Sequence, residues 1–170
     1  MGQGIGRKTN NVTRLLDANK ISYTAHELPA EKLGAQETAL LLNVSPEIVY
    51  KTIVVVREGK GKTILAVIPG DREVDLKAVA RAVNEKKVLL PTEREAERLT
   101  GLQAGGISPL ALLHRGFQIL IDCNALSHDL IHISAGQRGL NISLRPLDLI
   151  NLTKAQVADI SKTTIQPGQL

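Results

Sequence analysis

Aromatic side chains are nearly absent from this chain of 170 residues: Tyr23, Tyr50 and Phe117 are all there are, and there is no Trp. The core must therefore be built from Val, Ile, Leu and Ala. The same scarcity argues against reading single-stranded nucleic acid by base stacking, which needs aromatic platforms. Cysteine occurs once, at Cys123, so no internal disulfide is available. There is no CxxC pair, no Cys/His cluster, no HExxH and no Gly-x-Ser-x-Gly elbow. A structural zinc, a zincin site and a hydrolase elbow are not expected, nor is any cofactor. No apolar run is long enough to span a bilayer. Residues 1–8 are polar and glycine-rich without the apolar segment of a secretory signal, so a cytoplasmic protein with no membrane contact is expected. Strong charge is missing too. A net charge of +4, with Lys and Arg dispersed along the chain, admits a polyanionic partner without demanding one. A reader of duplex DNA would show a heavier basic footprint, and no DNA partner is expected.

What is present is a regular alternation of helix and strand patterns. Thr9 or Asn10 caps a helix to about Asn19, with Val12, Leu15 and Leu16 on one face. Ile21 to Glu27 alternates as a strand. Ala35 to Leu42 reads as a helix that stops at Asn43, and Ser45-Pro46-Glu47 as one helical turn. Tyr50 to Arg57 holds the β-branched run Ile53-Val54-Val55-Val56, which predicts a strand buried on both faces. A turn at Glu58–Gly61 leads to a returning strand, Thr63 to Ile68, which Pro69-Gly70-Asp71 breaks. Asp75 caps a helix to about Val83, Lys87 to Leu90 is a short strand, and Thr92 with Glu95 forms a capping box for a helix to about Leu99. Strands follow at Gln118–Asp122, Leu130–Ser134 and Leu140–Leu144, then a helix from Pro146 to Leu152; Gln156–Ile160 is left open as strand or helix. The pattern describes an α+β protein: a mixed β-sheet or half-open barrel core with surrounding helices.

Some motifs are readily dismissed. Gly61-Lys62-Thr63 imitates the end of a phosphate loop, but Val56 stands where its first glycine belongs and the segment is a hairpin. Cys123 has His114, His128 and His132 near it in sequence, so a Cys–His nucleophile is conceivable. The commoner fate of a free cysteine, a small half-buried apolar filler, is the favoured reading.

Three segments carry more. Lys51, in Tyr50-Lys51-Thr52, shares a strand face with Ile53 and Val55. If that face is buried, Lys51 opens onto a cleft as a fixed cation for a phosphate or a developing oxyanion; otherwise it is a solvated lysine at a strand end. Gly105-Gly106-Ile107-Ser108-Pro109 lets backbone approach a ligand and offers N–H donors, or is simply a turn. Ser134-Ala135-Gly136-Gln137-Arg138-Gly139-Leu140 joins two apolar strands through a hydroxyl, two glycines and an arginine, or is a polar hairpin turn.

Taken in order, these segments resemble the YbaK/EbsC family of aminoacyl-tRNA deacylases, relatives of the editing domain of bacterial prolyl-tRNA synthetase. Val74-Asp75-Leu76-Lys77, Lys86-Lys87-Val88 and Lys20-Ile21-Ser22-Tyr23 fit as well, and the likeness runs from about Thr9 to Ser161. It implies one deacylase domain over 9–170 behind a flexible leader at 1–8. It implies hydrolysis of the ester between an amino acid and the terminal adenosine of tRNA. Lys51 would be the catalytic side chain, at the terminal nucleotide or at the carbonyl oxygen. Tyr50, Thr52, Gly105, Gly106, Ile107, Ser134 and Gly136 would bind substrate. The partners implied are the acceptor end of aminoacyl-tRNA and, for choice of tRNA, prolyl-tRNA synthetase. The best-known branch clears cysteine from proline tRNA, with the substrate thiol attacking its own carbonyl, which needs no enzymic nucleophile. That branch carries an aromatic where this chain has Leu28 and often an acid where it has Asn141; related branches clear alanine, serine or threonine with water. A non-catalytic module that holds tRNA or a synthetase is the competing class.

Overall fold

The computed structural model describes residues 8–164, so the leader expected at 1–8 lies, apart from Lys8, outside the described residues. Helix α1 (Asn11–Ala18) starts where Asn10 and Thr13 each hydrogen-bond the other's backbone N–H with a side-chain oxygen, and it buries Val12, Thr13 and Leu16. Strand β1 (Tyr23–Glu27) follows, then α2 (Ala35–Leu42), which stops at Asn43 in the left-handed conformation. After a single 3-10 turn at Pro46–Ile48 come β2 (Tyr50–Arg57), β3 (Ile64–Pro69) and β4 (Arg72–Val74). Next are α3 (Leu76–Ala82), β5 (Val88–Leu89), α4 (Glu93–Thr100), β6 (Gln118–Asp122) and β7 (Ile131–Ser134). The order ends with β8 (Leu140–Leu144), α5 (Pro146–Thr153), β9 (Gln156–Ala158) and β10 (Ser161–Thr163).

Hydrogen bonding divides the strands into a five-stranded sheet of order β5-β2-β3-β6-β9, a three-stranded sheet β1-β8-β7 and a pair β10-β4. The larger sheet is mixed: β2 runs antiparallel to β3 and β5, while β3–β6 and β6–β9 are parallel. A bridge between Val49 and His132 joins the two main sheets where β2 begins. This is the expected α+β architecture with a mixed sheet and flanking helices.

All six residues of β3 are buried because the strand serves two cores. Leu65 and Val67, with Tyr50, Val54, Ile119 and Ile121, face Ile131, Ile133 and Ile142 of the smaller sheet. Ile64, Ala66 and Ile68, with Val55 and Leu120, face Val79 and Ala80 of α3. Alternation along a strand sends successive side chains to opposite faces, so a continuous apolar run needs cover on both. Truncating Leu65 or Leu120, both fully buried, to Ala is expected to cost about 2–5 kcal/mol.

Three details depart from the sequence reading, and one alternative left open there is resolved. Pro69 closes β3 rather than breaking it. The box at Thr92 is half formed: its hydroxyl accepts from Glu95 N at 3.2 Å, but the Glu95 carboxylate is drawn to Arg98 instead of the cap. Gln156–Ala158 is a strand, held by parallel pairing with β6. The β4–β10 pair went unforeseen; it is fixed by Arg72, which donates to Ser161 Oγ at 2.7 Å and Ser161 O at 3.0 Å.

Candidate active site

The two main sheets diverge beside the start of β2 and leave a cleft of about 430 Å³. β2 supplies Tyr50, Lys51 and Thr52 to its wall. The loop after α4 supplies Gly105 and Ile107, β7 ends there at Ser134, and β8 opens there with Leu140 and Asn141. Leu28, Leu33, Thr38, Leu90, Pro91 and Ala96 are also part of its lining. Of the eight residues singled out from sequence, six therefore meet at one cavity: Tyr50, Lys51, Thr52, Gly105, Ile107 and Ser134.

Gly106 and Gly136 stand behind the wall, not in it. A Cβ on Gly106 would lie 2.8 Å from the Gln137 carbonyl carbon and 3.0 Å from Arg138 N, so this glycine lets two loops touch. Its N–H donates to Gln103 O at 2.9 Å. Of the glycine pair, the Gly105 amide alone is left without a protein partner among the described residues. Gly136 has φ +89°, and a Cβ there would sit 2.6 Å from Ala111 Cβ. Its N–H donates to Ser134 Oγ at 3.3 Å, which orients the hydroxyl. Arg138 ties the two loops together by donating from Nε to Ala104 O at 2.7 Å. Asn10 fastens the second loop to the start of α1, donating to Ala135 O at 2.8 Å and Gln137 Oε1 at 3.0 Å.

Lys51 is half-buried, and Nζ lies 3.4 Å from Gly70 O. Burial holds its pKa below the ordinary lysine value, against the opposing pull of Glu73 and Asp71. Gly70 is required at its position, since a Cβ would come within 2.6 Å of Val49 O; nothing in the sequence marked it as the anchor of Lys51. Beside it, Tyr50 Oη and Thr52 Oγ1 are buried with no hydrogen-bond partner among the described residues. Burial, and secondarily Asp122, pushes the Tyr50 phenol well above its usual range, so it remains a neutral hydroxyl.

Cys123 is exposed, in a 3-10 turn after β6, and is not part of the cavity wall. The half-buried filler reading is therefore corrected: the turn swings the side chain outward. Its thiol pKa is raised, by partial burial first and then by Asp122 and Asp159, which is opposite to what an activated nucleophile needs. Among the described residues, no three His, Cys, Asp or Glu side chains gather as a metal site. No helix among them is long and apolar enough to cross a membrane.

The arrangement is a cation, a glycine amide and a hydroxyl around a cleft, and the sequence model of the aminoacyl-tRNA editing domain matches residues 29–152, which includes every one of these groups. The chain belongs to the aminoacyl-tRNA editing domain family. It is 32% identical over 157 residues, 91% of this chain and 94% of the other, to EbsC of Enterococcus faecalis, a protein named, provisionally, as a Cys-tRNA(Pro)/Cys-tRNA(Cys) deacylase. A crystal structure of a protein described only as hypothetical superposes with TM-score 0.82 at 26% identity, covering 90% of this chain and all of that one. A candidate trans-editing enzyme for prolyl-tRNA synthetase superposes with TM-score 0.73 at 24% identity, covering 91% and 99%, and shares the fold.

Proposed function

We propose that this editing-domain protein acts in trans as a hydrolase, cleaving the ester of mischarged aminoacyl-tRNA, with Cys-tRNA(Pro) as its substrate. The observation that carries this reading is the convergence of Lys51, Gly105 and Ser134 on one cleft, with no activated cysteine among the described residues lining it. Such a site suits positioning and charge stabilisation better than covalent catalysis. The likeness to EbsC supports cysteine as the residue cleared.

In this mechanism the terminal adenosine and its aminoacyl group enter the cleft. The substrate thiol gives up its proton and attacks its own carbonyl carbon. A carbon–sulfur bond forms, and negative charge gathers on the carbonyl oxygen. Lys51 Nζ and the Gly105 amide stabilise that charge, while Ser134 holds the acyl group. The carbon–oxygen ester bond then breaks, the ribose oxygen leaves with the proton the thiol gave up, and water opens the cyclic thioester that remains to free cysteine. The partners are the acceptor end of the tRNA and prolyl-tRNA synthetase, which supplies the choice of tRNA; the site of action is the cytoplasm.

A second reading, clearance of alanine, serine or threonine with water as nucleophile, is favoured by one observation. Leu28 and Asn141, where the cysteine-clearing branch differs, both line the cavity. The test is release of label from tRNA(Pro) charged in turn with cysteine, alanine, serine and proline. Rapid loss of cysteine with proline spared is expected; loss of alanine or serine alone would select the second reading. Tight binding with no release from any of them would make the protein a binding module.

A further inference from the structure

One polar network against the cavity takes no part in the chemistry above. The face of the smaller sheet opposite Ile131, Ile133 and Ile142 carries His26 on β1, His132 and Ser134 on β7, and Asn141 and Ser143 on β8. Asn141 pairs directly with both His26 and Ser134, and His132 pairs with Ser143, which places His132 diagonally beside Asn141. His132 Nδ1 lies 3.0 Å from Asn141 Oδ1, and the two residues are 7% and 5% exposed. The neighbouring His26 ring sits 5.2 Å from that of His132 and reaches Ser143 Oγ through Nε2 at 3.1 Å.

A carboxamide oxygen only accepts, so His132 Nδ1 must carry the proton of this bond. Burial lowers the His132 pKa, against the opposing pull of the Asn141 hydrogen bond, and so favours the neutral ring; the bond to Asn141 selects the tautomer. With its oxygen engaged by His132, the Asn141 amide has its nitrogen left. Nδ2 has no partner among the described residues, and Asn141 lines the cleft.

We propose that His132 is a positioning residue for substrate recognition: it fixes the Asn141 carboxamide so that Nδ2–H faces the cleft and donates to an oxygen of the aminoacyl group. This rests on the deacylase reading and deepens it, because it names the chemistry the pocket reads. A donor at position 141 complements an oxygen acceptor, whereas a carboxylate there would attract the α-ammonium group. The acceptor is either the ester carbonyl, common to every aminoacyl-tRNA, or a side-chain hydroxyl, present in serine and absent from alanine. A polar group built to meet such an oxygen and left unpaired by the wrong ligand is a strong discriminator.

The test compares wild type with His132→Leu, which removes the donor, and His132→Asn, whose amide nitrogen falls near the place of Nδ1. Deacylation of tRNA(Pro) charged with cysteine, alanine or serine is measured, together with the melting temperature of each protein. His132→Leu is expected to lose roughly tenfold in kcat/KM, and His132→Asn to recover to within about threefold. An equal loss on every substrate cleaved, cysteine included, mainly in kcat, assigns the carbonyl; a loss confined to serine, mainly in KM, assigns the hydroxyl. Full activity in both variants overturns the proposal, as does equal loss in both at an unchanged melting temperature. Long-range ¹H–¹⁵N correlation of the wild-type His132 ring reads the tautomer whether or not the variants fold. A proton on Nδ1 is expected, and a proton on Nε2 overturns the orientation. Wild type inactive on the whole tRNA panel would overturn the deacylase reading and the recognition role together, whereas active wild type carrying the Nε2 proton would sink this inference alone.

Discussion

Replacing Thr52 with Val should make the free protein more stable, against the usual sign for a change in a buried strand. Thr52 Oγ1 is buried and has no hydrogen-bond partner among the described residues. A sealed, unpaired hydroxyl costs about 1–3 kcal/mol relative to water, by mutational comparison. Valine puts a methyl group in the same space, and the surroundings suit it: Thr52 pairs across the sheet with Val67, and both Val67 and the nearby Val54 belong to the first core. Because Thr52 as a residue is only half-buried, the lower end applies, about 1 kcal/mol. For a protein of this length that raises the melting temperature by roughly 2–4 °C. The assay is reversible thermal unfolding of both proteins at neutral pH, followed by steady-state deacylation. A hydroxyl closed off in the free protein meets substrate only after the wall shifts, so its role in binding would appear as a fall in kcat/KM beside the gain in stability. Loss of stability by 1 kcal/mol or more, to take about that figure as the threshold, would mean the hydroxyl is satisfied in the folded protein and would refute the reasoning. Higher stability with full activity would keep the orphan and discard Thr52 as a substrate contact.

Gly136→Ala should destabilise by about 2–4 kcal/mol, seen as an earlier melt, because the residue sits at φ +89° and its new Cβ meets Ala111 at 2.6 Å. Stability should fall as pH drops below 6.5: burial lowers the folded pKa of His26 and of His132, so the unfolded chain binds more protons in that window. The midpoint of urea unfolding at a series of pH values checks this, and a flat profile from 7.5 to 5 would contradict it. Cys123→Ser should leave deacylation unchanged, and a thiol-alkylating reagent should leave the wild type active, since the exposed thiol lies away from the cavity.

The helices were legible because their ends are written locally. Asn10, Asp75 and Thr92 each cap with a side-chain oxygen, and Asn43 stops α2 in the left-handed region. The burial of β2 and β3 on two faces was legible from an unbroken apolar run, but not which elements cover each face, since α3 and the smaller sheet are distant in sequence. The β4–β10 pair was not legible: two three-residue strands, Arg72–Val74 and Ser161–Thr163, pair across a long stretch of sequence and are too short to show a periodicity. At the site, Lys51 lines the cleft together with Tyr50 and Thr52 from the other face of the strand, so alternation alone does not account for its place. The glycines were harder. A glycine motif announces close approach without saying to what; Gly105 meets the cavity, while Gly106 and Gly136 meet protein. His132 and Asn141 join through a diagonal across two strands, which only the register reveals.

The central claim is that the Lys51 charge drives ester cleavage. Its most direct test is Lys51→Met, measured by single-turnover deacylation of Cys-tRNA(Pro), with the melting temperature taken on the same sample. The folded pKa of Lys51 lies below its ordinary 10.5, so the fold disfavours this charge at neutral pH and regains stability only as pH rises towards that value. The account predicts a rate loss of about 10²–10³ in a protein that melts at or above the wild-type temperature. A variant that cleaves as fast as wild type would contradict it.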